Sequence, residues 1–232
     1  TDSLPEAVLQ PIEQEIAEQL FHSRQRVYFR YGEHFQTAFH PSVLQDDGRD
    51  LKKLLVASWD DLKRSIGEDM QQELRAAGLR LESALQRQVE EQLAEAAKEW
   101  ADEGFAASSN ARASIPWPTI DPFADGPQLE ARRLWQAFKS PRHFFENEGK
   151  KALQEQAEPL LFQALDASLA DLQAQWCLLV ADAYRRLLQE AYSRMASDLA
   201  AFAEHLGESM KQPDLPGRIA RIRAQWQQIA AE

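Results

Sequence analysis

Residues 114–123 read SIPWPTIDPF. Pro116, Pro118 and Pro122 remove backbone donors and fix φ near −65°, so this stretch cannot be regular helix and is held extended. On either side the chain is rich in Ala, Leu, Glu, Gln and Arg, the composition of long helices. The segment therefore separates two helical regions, and its placement decides how they are arranged.

Upstream, apolar residues recur mostly every fourth position: Leu51, Leu55, Trp59, Leu62, Ile66, Met70, Leu74, then Leu81, Leu85, Val89, Leu93, Ala96 and Trp100. Downstream the matching stripe runs Leu153, Ala157, Leu161, Leu165, Leu169, Leu172, Trp176, Val180, Ala183, Leu187, Ala191, Met195, Leu199, Phe202 and Leu206. The spacing predicts helices over 50–103 and 151–206. Their period exceeds the 3.5 residues of a heptad, so a left-handed coiled coil is not expected. Ile12, Ile16, Leu20, Val27, Tyr31, Phe35 and Phe39 predict another helix over 5–39, ended at His40-Pro41. Ile219, Ile222, Trp226 and Ile229 predict a short one over 217–231.

The fold expected from this pattern is all-α. It is an elongated antiparallel helical bundle built on the two ~50-residue helices, a hairpin about 75 Å long at 1.5 Å per residue. Residues 1–103 and 151–232 would form the bundle or stalk, and 104–150 a loop-rich, paddle-like tip at the hairpin end. Leu55 is then expected near Leu199, and Trp100 near Leu153. Gly67 and Gly78 fall inside the second helix, where each costs about 1 kcal/mol against Ala. They mark either close packing or points of bending. With Pro41 and Pro213 they are the candidate hinge positions.

Composition excludes several functions. Charged residues are 27% and hydrophobic ones 44% of 232, which suits a folded domain and not a disordered chain. No apolar run reaches the ~18–20 residues of a membrane span. The opening TDSLPEAVLQ resembles neither a signal nor a transit peptide. A net charge of −11 argues against nucleic acid as the partner. One cysteine, Cys177, permits no internal disulfide and no Cys-based zinc site, consistent with a reducing cytoplasm. None of the histidines follows a Glu by three positions, so the Glu-x-x-His pairs of a di-iron bundle are missing and no metal site is expected. No Ser/His/Asp grouping carries a nucleophile elbow, and no catalytic residue is assigned.

The middle of the chain differs in charge from the rest. Over 104–151 the basic residues Arg112, Arg132, Arg133, Lys139, Arg142, Lys150 and Lys151 outnumber the acidic ones. Ile115, Trp117, Ile120 and Phe123 beside Arg112, Arg132, Arg133, Lys139 and Arg142 form the combination by which a peripheral protein touches an anionic bilayer. The same aromatics would equally suit internal packing or a protein contact.

Two stretches carry a family resemblance. RVYFRYGEHFQTAFHPSVLQDDGRDLKKLL with GEDMQQELRAAGLRLE, and FKSPRHFFENEGKKALQEQAEPLL, resemble the helical region of bacterial dynamin-like proteins, particularly those of Gram-positive bacteria. The resemblance implies a helical stalk with a lipid-binding paddle, working in membrane tethering, fusion or remodelling on the inner face of the cell membrane. It also implies self-association and a GTPase domain, with GTP and magnesium, elsewhere in a parent protein. This chain has no G-x-x-x-x-G-K-[ST] phosphate loop and no [NT]-K-x-D guanine reader. No cofactor and no enzymatic activity are therefore expected of it. The alternative is a structural or interaction rod that scaffolds or dimerises without touching a membrane.

Overall fold

The computed structural model describes residues 6–40, 51–101, 105, 112–124 and 147–210. Three helices account for most of these: α1 (Glu6–Ala38), α2 (Leu51–Ala101) and α3 (Asn147–Met210). The described residues contain no strand, and the all-α expectation holds. The helices are unequal, at 33, 51 and 64 residues, so the scaffold is three long helices and not a pair of ~50-residue ones. α3 is the longest and continues through Pro159 without interruption. The expected helix over 217–231 lies outside the described residues.

The stripes read from sequence are the buried faces. Ile12, Ile16, Leu20, Val27, Tyr31 and Phe35 on α1, and Phe39 just after it, are all buried. On α2 the stripe is buried from Leu55 to Leu93 and ends at Ala97 instead of Ala96. On α3 it runs from Leu153 to Leu199 and ends at Ala203, while Phe202 is only half-buried. A period slightly above 3.6 moves the last contact one position along the helix.

The chain forms two compact units, and the division falls inside every helix: between Ile16 and Ala17, Ala77 and Gly78, and Gln175 and Trp176. It also falls between Trp117 and Pro118. The first unit holds the described residues before Ala17, those from Gly78 to Trp117 and those from Trp176 on; the second holds the remainder.

In the first unit α2 and α3 run parallel. Trp117 touches both Gly78 of α2 and Trp176 of α3. Further along both helices Gln92 Nε2 donates to Tyr184 Oη at 2.7 Å. Beyond the end of α2, Phe105 packs against Phe202 with ring centroids 5.5 Å apart. Rising numbers on one helix meet rising numbers on the other.

In the second unit α1 is antiparallel to both partners. Going up α1, Arg24 pairs with Asp166, Tyr28 Oη donates to Glu158 at 2.8 Å, Tyr31 Oη donates to the Gln154 carbonyl at 3.3 Å, and Lys150 Nζ donates to Gln36. On the α2 side Arg26 and Arg30 reach Glu73, while Arg30 and His34 reach Asp69 at 3.0 and 3.3 Å. Two helices each antiparallel to α1 are parallel to one another here as well. Phe162 seals the α1–α3 contact with edge-on rings of Tyr28 and Tyr31 at 4.9 and 5.7 Å.

The antiparallel hairpin expected of α2 and α3 is therefore corrected. A stripe of apolar residues states which face is buried and is silent about direction. Adjacency in the chain implies an antiparallel order only for a short connection, and this one is long enough to travel back. Spin labels at the exposed Glu91 and Asp182 should be about 10–20 Å apart, roughly one interhelical spacing plus the label arms. The antiparallel order would add on the order of 30 Å of helix rise to that separation. Pulsed dipolar spectroscopy reads the difference directly.

The Arg26–Arg30–Glu73 cluster sets a pH dependence. Burial resists the charge on Glu73, but hydrogen bonds and the charges of Arg26 and Arg30 outweigh it and hold the carboxyl below its usual range. A carboxylate whose value is lowered by folding stabilises the fold above its unfolded value of about 4.3. That stabilisation fades as pH falls through the lowered value. Both arginine side chains are about two-fifths exposed, which weakens the pairs by solvent screening. Glu73→Gln should cost about 1 kcal/mol at neutral pH. The gap from the parent chain should close as the medium is acidified, measured by urea unfolding across the acid range.

Candidate interaction site

The site is built where the proline segment meets α2. In the first unit Pro116 shapes the chain locally. The Trp117 N–H donates to the Ile115 carbonyl at 2.8 Å, closing a three-residue turn around the proline. The turn brings two donors to one acceptor on α2. The Ile115 N–H and the Trp117 Nε1–H both donate to Glu82 Oε1, at 3.0 and 2.9 Å. Ile115 is buried and Trp117 half-buried.

One turn before Glu82 is Gly78. A Cβ placed there would lie 2.7 Å from Trp117 Nε1 and 2.8 Å from its Cε2. No real Cβ sits that close, so the glycine is the notch that admits the indole. Below it lies Trp176 of α3, fully buried, with its ring centroid 4.4 Å from that of Trp117. The Trp176 Nε1 is buried with no acceptor among the described residues.

The second unit repeats the device in weaker form. Gln71 Nε2 donates to the Ile120 carbonyl at 3.1 Å. One turn before Gln71, Gly67 faces Phe123, whose Cδ2 would lie 3.9 Å from an added Cβ. Phe123 is buried, and its N–H donates to Asp121 Oδ1 at 3.0 Å, an Asx turn that closes the extended run. The cleft alongside is lined by Asp60, Lys63, Arg64, Glu68, Gln71 and Asp121. Lys63 pairs with Asp60 and Arg64 with Asp61, so the cleft has no surplus of positive charge for an anion.

Of the residues expected at a lipid contact, Ile115, Trp117, Ile120 and Phe123 thus lie on the helices in this conformation. Arg112 is exposed. Arg132, Arg133, Lys139 and Arg142 lie outside the described residues, as do Pro41 and Pro213 and most of the expected tip over 104–150. Of the described parts of that tip, Phe105 and the 112–124 segment lie against helices, and 147–150 are not tip at all but the start of α3, four residues before the expected boundary. Gly67 and Gly78 sit within unbroken helix, facing the proline segment. Cys177 is half-buried; burial and the nearby Glu13 carboxylate push its thiol upward, away from thiolate chemistry. Among the described residues no group of three or more His, Cys, Asp or Glu side chains is disposed to hold a metal ion. None of their helices is long and apolar enough to cross a membrane.

Sequence reasoning missed Glu82 and Gln71, and read Trp176 only as one more member of the buried stripe. The signal was present as a repeated spacing, Gly67-x-x-x-Gln71 and Gly78-x-x-x-Glu82. Each pairs a gap in a helix surface with a hydrogen-bonding side chain one turn on, which is what an extended backbone needs in order to lie there. No family model matches the chain, and no curated protein or solved structure does either.

The two glycines should respond differently to alanine. Gly67→Ala meets only ordinary contact with Phe123 and should stabilise the chain by about 0.5–1 kcal/mol through helix propensity. Gly78→Ala has the same propensity gain but collides with the indole, so its net effect should fall short of that at Gly67. Urea unfolding of both variants tests this, and a larger gain at Gly78 would contradict the notch.

Proposed function

We propose that the chain is a non-catalytic helical stalk module of a dynamin-like GTPase, and that its central segment makes the contact with an anionic membrane. The observation that carries this reading is the way Ile115, Trp117 and Phe123 are held. They form an extended apolar segment laid on helix surfaces at two glycines, with polar side chains of α2 satisfying its backbone. Such a segment can leave without unwinding a helix, and its proline-stiffened backbone loses little entropy when it docks elsewhere. The exposed Arg112 and the basic residues of 132–142 supply attraction to acidic headgroups. The reading also draws on the resemblance of the sequence to dynamin-like proteins. In this reading the GTPase domain, GTP and magnesium belong to the parent protein, and the location is the inner face of the cell membrane.

A second reading has its own observation. Phe21, Tyr28 and Phe29 on α1 are exposed in the second unit, Phe29 to 80%. An aromatic face of this kind suits self-association of a scaffold.

Co-sedimentation with vesicles separates the two. The chain should pellet with equal parts phosphatidylglycerol and phosphatidylcholine and stay in solution with phosphatidylcholine alone. Binding should weaken as salt shortens the Debye length from about 30 Å toward 3 Å. A chain that ignores both vesicles and dimerises through Phe29, reverting to monomer with Phe29→Ser, would establish the scaffold instead.

A further inference from the structure

We infer that Gly78, Glu82 and Trp176 form a releasable receptor for the indole of Trp117, so that α2 and an anionic membrane compete for the same segment and the docked state is inhibitory. The inference rests on the lipid contact proposed above and adds its control.

Three features of the contact support it. The receptor is shaped for this side chain, since a Cβ at Gly78 would overlap the indole at 2.7 Å. The two donors of the segment converge on a single oxygen, Glu82 Oε1, so movement of that carboxylate frees Ile115 and Trp117 together. Beneath Trp117, the fully buried Trp176 keeps an indole N–H with no acceptor among the described residues. A buried donor left unmatched is unfavourable, and Trp117 is a ring packed directly on the one that carries it. The docked state thus combines specific recognition with an unmatched donor beneath it. That combination belongs to a reversible contact more than to a permanent core.

The segment also cannot serve both surfaces at once. Ile115 is buried and Trp117 is wedged between α2 and Trp176, so neither can enter a headgroup layer while docked. Arg112, three residues ahead of Ile115, is already exposed and is the first charge available to lipid.

The test uses the full chain labelled with fluorotryptophan. The Trp117 resonance is assigned by its loss in Trp117→Phe, and its accessibility is read with a soluble paramagnetic agent. Vesicle affinity is measured in parallel with equal parts phosphatidylglycerol and phosphatidylcholine. Gly78→Ala and Glu82→Ala should expose Trp117, keep the helical circular dichroism, and raise vesicle affinity about tenfold, the scale of one lost charge-assisted hydrogen bond. Glu82→Gln, which keeps an acceptor oxygen, should fall between them and the parent chain. Should Gly78→Ala lose helicity, Glu82→Ala carries the same comparison. Trp117 as accessible in the parent chain as in the variants would overturn the docked state. Exposure of Trp117 with vesicle affinity unchanged from a parent chain that binds would overturn the competition and leave the lipid contact standing. Failure of parent and released variants alike to bind vesicles would remove the lipid contact itself, and the competition with it.

Discussion

The constraint on which the arrangement depends is that α2 and α3 run parallel. Two helices joined in sequence pack antiparallel when a short loop joins them. Parallel packing requires the connection to return along the helices it joins. In the first unit that return is visible: the chain leaves α2, places Phe105 beside Phe202, and then places Ile115 and Trp117 beside Glu82 and Trp176. Prolines suit such a return. A polyproline-like backbone advances about 3.1 Å per residue against 1.5 Å for helix, so a few residues cover several helical turns.

An extended backbone on a helical surface brings its own difficulty, because it has no internal hydrogen bonds and its polar groups must find partners. Prolines remove part of the demand by removing donors. Part of the rest is met from α2, where Glu82 takes the Ile115 N–H and Gln71 gives to the Ile120 carbonyl, and part within the segment, where the Trp117 N–H donates to the Ile115 carbonyl and the Phe123 N–H to Asp121. Registry of α1 against the other helices is handled differently, by charge. Arg26 and Arg30 stand one turn apart opposite Asp69 and Glu73, also one turn apart, while Arg24 reaches Asp166 on the other side. Apolar stripes tolerate sliding by a turn; matched charge pairs penalise it, since a slipped register leaves partly buried carboxylates unpaired.

Most of the fold was legible in the sequence as faces, and little of it as direction. The stripes on all three helices name the buried residues almost to the position, because a helix shows its core face through periodicity alone. The order of α2 and α3 carries no such mark. The clue was the length of chain between Ala101 and Asn147, far beyond what a hairpin needs. The site was half legible. Trp117 and Phe123 stood out as aromatics among prolines, and the two glycines stood out as breaks in helix propensity. That the aromatics meet the glycines follows only once the connection is seen to return, since nothing local in SIPWPTIDPF specifies which surface it lies on.

The same physics explains why the segment is stiff and why the surface under it is uneven. A flexible apolar loop would lose much conformational entropy on docking and would spread over any greasy surface offered to it. A proline-locked one has a fixed shape and can be matched in detail, by a notch for one indole and a shallower gap for one phenyl ring. The match at Gly78 is tight, since an added Cβ would lie within 3.0 Å of three indole atoms, and that at Gly67 is loose, since one there would come no nearer than 3.9 Å to the phenyl ring. The hydrogen bonds follow the same ranking: two donors on a carboxylate at Glu82, one amide on a carbonyl at Gln71. Charge-assisted bonds are about twice as strong as neutral ones, so hold on the segment is concentrated at its Ile115–Trp117 end. The Phe123 end depends instead on burial and on its own Asx turn, a conformation it can keep whether or not it is docked. Control of the segment therefore resides at Glu82, where one carboxylate oxygen secures both a backbone and a side chain.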